Sequence, residues 1–425
     1  MNIFDQLLAD NQIPKFVRVR HEMDRGHIDD IEGAVAQAMQ REGTLDRIKP
    51  GDSVCITAGS RDVANIARVI RAICDQVKSV GAHPFIIPAM GSHAGAKAEG
   101  QRGIIEGYGV TEEAMGAPIR ATMDTEVIAH SKSGLEIHLD KYANAADFLI
   151  PVGRIKAHTD FRGEVESGIC KMLVIGMGKQ HGAYQCHKLG FKSMAANVKE
   201  FAGAIIEKKP NMFAIGLIEN AYHQTCRIEA IPAGRILAEE PPLLDYAKSR
   251  MAKIPFEQAD ILFVDETGKD ISGAGMDPNV TGRSPVLGIS RPFFQRIAVF
   301  DLTDKSHGNF GGLGSADVTT QRLYRKIDFE QTYPNGITAA EPLAVRLPVI
   351  MPSDRTAMQF ALRTATDCDW TKGPRIVWLK NTLSLSEFYI SEALIPDAEA
   401  LDNVTVVSEP MDVIFDEEGN VKELR

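Results

Sequence analysis

Short buried strands alternate with amphipathic helices along this chain, and this alternation constrains the fold more than any other feature. Residues 53–59 (SVCITAG) have the pattern of a buried strand, and apolar residues then recur at helical spacing from Val63 to Val77. Residues 83–91 (HPFIIPAMG) follow as a second strand, and another helix is expected near Ala96. Strands joined through helices lie parallel, so the pattern predicts an α/β fold with mostly parallel sheets.

The alternation continues through the first half of the chain and restarts in the second. Further strands are predicted at 119–128, 134–139, 147–153, 213–218, 259–265, 296–302 and 374–380, helices at 193–208, 239–255 and 315–326, and a hairpin in the tail that turns at 418–420. A chain of 425 residues is long enough for two or three domains. We predict two α/β domains: residues 1–250, which bind the cofactor and carry the catalytic groups, and residues 251–425, which close a substrate cleft between them. Trp370 and Trp378 are expected in the core.

Composition and charge exclude several classes of protein. The formal net charge is −10, and no cluster of Lys and Arg provides the basic stripe that nucleic-acid binding needs. No apolar run reaches the ~20 residues of a membrane span, and the first residues lack the pattern of a signal peptide. The six cysteines include no CxxC pair, which argues against structural zinc, iron–sulfur clusters and disulfides. We therefore expect a cytoplasmic protein that binds neither nucleic acid nor membrane.

Polar loops follow several predicted strands, where open α/β sheets bind their ligands. Ser60 is placed to cap the helix after the first strand, and Arg61 beside it either completes an anion site or is simply solvated; the sequence alone favours the solvated arginine. His93 lies in a glycine-flanked loop after the second strand. This position suits catalysis, although a loop histidine without a role fits equally well.

A longer polar stretch follows the strand that ends at Gly153. It carries four basic or imidazole groups between residues 154 and 162, including His158, and a functional role is favoured over a solvated charge run. Lys171 lies in an apolar stretch, which predicts a partly buried and nucleophilic amine. Gly176 and Gly178 suit close approach to a phosphate or nucleotide, although they match neither GxGxxG nor the P-loop pattern. His181, Cys186 and His187 form only a weak metal motif, and we favour a structural role for His181 and Cys186.

Taken in order, Arg61, the GSH at 91–93, the GRIKAH at 153–158, Lys171 and His187 resemble the lactate racemase family, whose members use a nickel-pincer nucleotide. The resemblance covers the first half of the chain and continues more weakly through 265–269. Two flanks depart from the family pattern. Ala94 stands where the family usually has an arginine, and the residues before Lys171 are not the usual glycine pair.

The resemblance implies a role for each matched position. In the family, a lysine tethers the cofactor through a thioamide, a histidine completes the nickel coordination, and two histidines act as general acid and base. The residues that match are Lys171 for the tether, His187 for nickel, His93 and His158 for acid–base chemistry, Arg61 and Lys269 for the substrate or cofactor anion, and Ser60, Gly176 and Gly178 for further cofactor contacts. Cofactor-synthesis proteins would then be partners during maturation.

The implied reaction is racemisation or epimerisation of a 2-hydroxy acid by hydride transfer through a 2-keto acid. The altered flanks make a larger polar acid, such as a sugar acid, at least as fitting as lactate. Two alternatives remain: a nicotinamide-type oxidoreductase, against which the missing GxGxxG counts, and a non-catalytic nucleotide- or metal-binding protein. The sequence leaves open whether the chain forms a homo-oligomer and what His307 does in its glycine-rich loop.

Overall fold

The structure, a computed structural model, describes residues 3–60, 63–284, 291–339 and 341–425. Its contacts divide the chain into two compact units: a middle unit, Asp24–Met251, and a terminal unit, Met1–Met23 with Ala252–Arg425. The division falls next to the boundary predicted at 250. The first 23 residues nevertheless pack with the second unit rather than the first, because their strand pairs with strands from the end of the chain.

Strands occur along most of the described chain. In chain order they are β1 (Phe16–His21), β2 (Ser53–Ala58), β3 (His83–Pro88), β4 (Thr125–His130), β5 (Glu136–Asp140), β6 (Phe148–Ile150), β7 (Val152–Arg154), β8 (Phe213–Glu219), β9 (Thr225–Pro232), β10 (Gln258–Thr267), β11 (Phe293–Leu302), β12 (Val318–Thr320), β13 (Val349–Met351), β14 (Ile376–Leu379), β15 (Glu387–Ser391), β16 (Val404–Val406), β17 (Val413–Phe415) and β18 (Val421–Leu424).

Helices connect most of these strands, as the sequence pattern predicts. The described α-helices are α1 (Ile3–Leu8), α2 (Ile31–Ala38), α3 (Ile66–Ser79), α4 (His93–Ala96), α5 (Ala98–Gly107), α6 (Glu112–Met115), α7 (Lys141–Ala145), α8 (Ile169–Lys171), α9 (Lys179–His187), α10 (Phe191–Lys208), α11 (Ile236–Arg250), α12 (Pro278–Thr281), α13 (Gln321–Arg325), α14 (Phe329–Ala339), α15 (Asp354–Thr364) and α16 (Ile395–Glu399). A π-helical turn, Met172–Gly176, lies between α8 and α9. None of the described helices is long and apolar enough to cross a bilayer.

The middle unit contains two small sheets that are mostly parallel. In the first, β2 pairs in parallel with β3 and β6; in the second, β8 pairs in parallel with β7 and antiparallel with β9. A parallel bridge between Leu149 and Met212 links the two sheets. Buried apolar side chains pack on both faces, so the strands read as continuous hydrophobic runs.

The terminal unit is built on an eight-stranded sheet with the order β13-β12-β11-β10-β14-β15-β1-β16. Strands β10 to β14 pair in parallel, and β15, β1 and β16 extend the sheet in antiparallel pairs. The predicted tail hairpin forms from β17 and β18. The predicted α/β class with mostly parallel sheets is therefore confirmed.

Several local predictions were wrong because tertiary contacts overrode the local pattern. The helix expected at 315–326 covers only α13, since the β-branched residues 318–320 form a buried strand between β11 and β13. The strand expected from 119 begins at Thr125. Ser60 does not cap a helix, because α3 begins at Ile66 after Asn65, whose φ is 61°. Trp378 is buried as predicted, whereas 52% of Trp370 is exposed.

Candidate active site

The candidate site lies in the middle unit, on segments that follow the carboxyl ends of its parallel strands. His93 comes after β3 and His158 after β7. Lys171 ends α8, and His187 ends α9 on the other side of the π-helical turn. π-Helical turns occur frequently at functional sites. This is the edge where open α/β sheets bind their ligands.

His158 and Lys171, which lie 13 residues apart in the sequence, meet in the structure. His158 Nε2 lies 2.6 Å from Lys171 Nζ, and the imidazole ring stacks on Phe161 with 4.2 Å between the ring centroids. The Asp160 amide donates to His158 Nδ1 at 2.9 Å. Because Nδ1 accepts this bond, the proton of the neutral ring lies on Nε2 and faces the lysine. The arrangement therefore favours an unprotonated Lys171 amine that accepts it.

The His158 ring is held neutral. Burial lowers its pKa well below the usual value, and the positive charges of Lys156 and Arg162 act in the same direction. A neutral imidazole can accept a proton near pH 7 and gives one up only after it has become the imidazolium.

His187 presents its other ring nitrogen. Its Nδ1 donates to the Ala183 carbonyl at 2.6 Å, so the lone pair of the neutral ring lies on Nε2. Burial lowers the pKa of His187. A neutral imidazole whose second nitrogen donates to a carbonyl is the usual form of a metal-ligating histidine.

His93 is exposed and begins the short helix α4, which its neighbours hold in place. His93 Nδ1 donates to the Met90 carbonyl at 2.5 Å, which puts the lone pair on Nε2. Gln101 donates from Nε2 to the Gly91 carbonyl at 2.8 Å and to the His93 carbonyl at 3.3 Å. His93 and His158 are therefore opposite tautomers: Nε2 of His93 is a hydrogen-bond acceptor, and Nε2 of His158 is a hydrogen-bond donor.

The glycines expected to approach a nucleotide have a packing reason of their own. A Cβ at Gly176 would lie 2.6 Å from Met172 Sδ and 2.9 Å from the Ala89 carbonyl. At Gly178 it would lie 2.1 Å from the Val174 carbonyl. The π-helical turn can pack this tightly only where side chains are absent. Cofactor contact by these two glycines stays a prediction.

A buried ion pair between Lys179 and Asp140 was missed by sequence reasoning. Both side chains are fully buried, and Lys179 Nζ lies 3.1 Å from Asp140 Oδ2. Lys179 also donates to the Pro88 carbonyl, which ties the end of β3 to the start of α9. Burial lowers the pKa of Lys179 and raises that of Asp140. Of the two residues, only Asp140 has a signal in the sequence, because it lies just before α7 and can cap that helix.

Glu166, which sequence reasoning also missed, holds the His158 segment through a hydrogen bond to its backbone. The buried Glu166 Oε2 accepts the His158 amide at 2.7 Å, and Arg162 Nη1 lies 3.3 Å from the same oxygen. On the other side, Lys248 Nζ lies 2.8 Å from Glu166 Oε1. The sequence signal for Glu166 is weak, because it amounts to a carboxylate in an apolar and glycine-rich surrounding.

The remaining predicted residues have other partners in the structure or lie outside the residues that it describes. The Ser60 carbonyl accepts a hydrogen bond from the Tyr108 hydroxyl at 3.0 Å. Arg61 lies outside the described residues. Lys269 belongs to the terminal unit, where its Nζ donates to the Gly273 carbonyl at 2.6 Å. His181 stacks on His138 with 5.7 Å between centroids.

The described residues contain no group of three or more His, Cys, Asp and Glu side chains that could hold a metal ion by themselves. His187 nevertheless offers one neutral imidazole nitrogen, and Lys171 offers an amine. This donor set fits a metal that arrives with most of its ligands on an organic cofactor, as nickel does in a pincer nucleotide.

Comparison with known proteins finds a similar fold among solved structures. No family model matches the chain, and no curated protein matches its sequence. Among solved structures, the lactate racemase apoprotein from Thermoanaerobacterium thermosaccharolyticum is similar, with a TM-score of 0.53 and 16% sequence identity. The match covers 86% of this chain and 93% of that chain. At this identity the similarity shows a shared fold, and it agrees with the fold that the resemblance implied.

Proposed function

We propose that this chain is a racemase or epimerase of a 2-hydroxy acid that works with a nickel-pincer nucleotide. The observation that carries the proposal is the pair of opposite tautomers, with a basic Nε2 on His93 and a donating Nε2–H on His158. Inverting a hydroxyl-bearing carbon through a ketone needs a base that takes the hydroxyl proton and a donor that stabilises the carbonyl oxygen. The similarity in fold to a lactate racemase apoprotein supports the isomerase class.

Each histidine has a defined task in this reaction. His93 Nε2 takes the proton of the substrate hydroxyl and becomes the imidazolium, while His158 Nε2–H donates a hydrogen bond to the same oxygen as it becomes the ketone. Once C2 has been inverted, the His93 imidazolium gives its proton back to the alkoxide oxygen. His158 can take over this acid step only as an imidazolium, which burial makes a strong acid because it lowers the pKa of the ring.

Lys171 and His187 are the residues that hold the cofactor in this proposal. The Lys171 amine would form the tether, His187 Nε2 would ligate nickel, and Ser60, Gly176 and Gly178 would contact the nucleotide. When bound, the cofactor supplies the acceptor and donor of the C2 hydride. Arg61 and Lys269 are the residues proposed to bind the substrate anion.

The proposal is tested by co-expressing the chain with cofactor-synthesis proteins and combining intact mass with metal analysis. We expect about one nickel per chain and a mass gain that maps to the peptide containing Lys171. The loaded protein should then racemise a member of a panel of 2-hydroxy acids in D₂O without taking up deuterium at C2, because a hydride does not exchange with solvent.

Matched variants separate the acid–base role from general damage. His93→Asn should lower the racemisation rate about 10²- to 10⁴-fold, whereas His83→Asn, an exposed histidine at the amino end of β3, should leave it unchanged. Absence of both nickel and nucleotide would contradict the proposal and favour a binding protein. Net oxidation of the hydroxy acid with a nicotinamide would instead identify an oxidoreductase.

A further inference from the structure

Glu240, on α11, contacts the first turn of the helix that carries Lys171. Its side chain is fully buried, and Oε2 accepts the Cys170 amide at 2.9 Å. Burial raises the pKa of the Glu240 carboxyl, while hydrogen bonds from the Cys170 and Ile169 amides act against that shift. The first amides of a helix lack partners within the helix, so Glu240 caps this one from a distant part of the chain.

The backbone around Glu240 leaves just enough room for its carboxyl group. A Cβ on Gly168 would lie 2.0 Å from Glu240 Oε1 and 3.0 Å from Cδ. Gly168 has a φ of 165°, an extended conformation that any residue adopts. The missing side chain at this position is therefore explained by the space that the carboxyl occupies.

The same helix also reaches the His158 segment. Lys248 lies eight residues after Glu240, about two turns along α11, and its Nζ is 2.8 Å from Glu166 Oε1. Glu166 in turn accepts the His158 amide. Leu244, midway between Glu240 and Lys248, is buried and fixes this face of α11 against the core. One helix thus anchors both the segment that carries Lys171 and the segment that carries His158, and these two side chains contact each other.

We propose that Glu240 is a positioning residue that holds Lys171 Nζ against His158 Nε2 by fixing the first turn of the helix before Lys171. Glu240 itself does not touch the reacting groups and acts through the Cys170 amide. The inference extends the proposed function, since the amine that it places is the proposed cofactor tether, but the contact exists without the cofactor.

The test measures the reactivity of Lys171 in the full-length protein without nickel or nucleotide. Competitive acylation with acetic anhydride at pH 7, read by mass spectrometry, gives the rate at Lys171 relative to the exposed Lys372, whose side chain is 82% exposed. In the wild type, contact with His158 should make Lys171 the faster of the two, because acylation requires an unprotonated amine. Glu240→Leu should lower this ratio at least tenfold.

Three further variants make the result specific. Glu240→Gln should stay within twofold of the wild type, because the amide oxygen accepts the same backbone bonds. Gly168→Ala should act like Glu240→Leu, since its Cβ displaces the carboxyl, and it decides the test if Glu240→Leu does not fold. Glu239 lies on the same helix as Glu240 and forms an ion pair with Arg41. Glu239→Leu removes that pair and should leave the ratio unchanged.

The inference is overturned if folded Glu240→Leu or Gly168→Ala keeps the ratio within twofold of the wild type. It is also overturned if Glu239→Leu lowers the ratio equally, because α11 would then act only by general packing. Since these rates are measured without the cofactor, a failed racemase assay does not affect them, and a failed labelling experiment does not affect the racemase assay.

Discussion

The chemistry of single residues in the candidate site depends on which of their atoms the chain already occupies. His93 and His187 donate from Nδ1 to a carbonyl, whereas His158 accepts an amide at the same atom. Identical side chains thus present different Nε2 atoms: a lone pair in His93 and His187, and an N–H in His158. The partner is in each case a backbone group within four residues, so the tautomer is set by local turns and helices once the fold has placed them.

A buried carboxyl in the terminal unit gives a sharp prediction at the same scale. Trp378 Nε1 donates to Asp265 Oδ1 at 2.6 Å, and burial raises the pKa of Asp265 from 3.8 to about 7. The folded chain therefore binds this proton more tightly than the unfolded chain. The free energy of unfolding should fall as pH rises from about 4 to about 7, by up to about 4 kcal/mol, and then stay level.

Asp265→Asn keeps the acceptor for Trp378 but cannot ionise, so it should remove this part of the pH dependence. The measurement is urea unfolding at a series of pH values, with Trp378 fluorescence recorded in a Trp370→Phe background. Asp354, whose pKa burial raises to about 6, provides the matched control. Its Asn variant should keep the fall in unfolding free energy between about pH 6 and about pH 7, and a fall that persists over this range in Asp265→Asn would contradict the assignment.

At the scale of elements, the segment from α8 to α9 is a helix interrupted by a π-helical turn. Lys171 precedes the turn and His187 follows it, so its geometry sets the distance between them. The turn packs against the loop after β3, where the Ala89 carbonyl faces Gly176. The buried Lys179–Asp140 pair fixes the segment at the start of α9.

This packing predicts that Gly176 and Gly178 matter for stability without any cofactor. Gly176→Ala and Gly178→Ala should each lower the free energy of unfolding by about 1–3 kcal/mol, because the added Cβ meets packed atoms. Gly103→Ala, in α5 with no atom within 4 Å of its Cβ, should instead raise it by about 0.5–1 kcal/mol. Thermal and urea unfolding of the protein without cofactor give these values. Unchanged stability at both glycines would leave cofactor contact as their explanation.

At the scale of the whole molecule, the chain crosses between its two units twice. Residues up to Met23 contribute β1 to the terminal unit, and the chain then builds the middle unit before it returns at Ala252. In the terminal unit β1 lies between β15 and β16, and Phe16 packs edge-on against Trp378 with 5.1 Å between centroids. The candidate acid–base pair and tether, by contrast, belong entirely to the middle unit.

We therefore expect each unit to respond to its own core. Phe16→Ala should lower the unfolding free energy of the terminal unit by about 3–5 kcal/mol, as both side chains of its aromatic contact are fully buried. Phe148→Ala, the matched variant in the middle unit, should leave the unfolding transition of the terminal unit unchanged. Both tryptophans lie in the terminal unit, so tryptophan fluorescence reports its unfolding and circular dichroism reports the whole chain. Equal shifts of the fluorescence transition in both variants would contradict separate unfolding.

The sequence by itself determined the fold class and predicted which segments carry the candidate site. Apolar periodicity is a local property, and it was enough to predict β2, α3 and β3 in order and to place His93 and His158 after strands. The family resemblance then assigned roles that only the racemisation and labelling experiments can test.

Only the tertiary structure decided which groups meet. Glu240 lies 70 residues from Cys170, and Lys248 lies 82 residues from Glu166, so no local pattern connects them. The same holds for β1, which pairs with strands more than 360 residues away. Such contacts depend on which strands and helices become neighbours in the folded chain. That arrangement follows from burying the apolar faces of the whole chain rather than from any one segment.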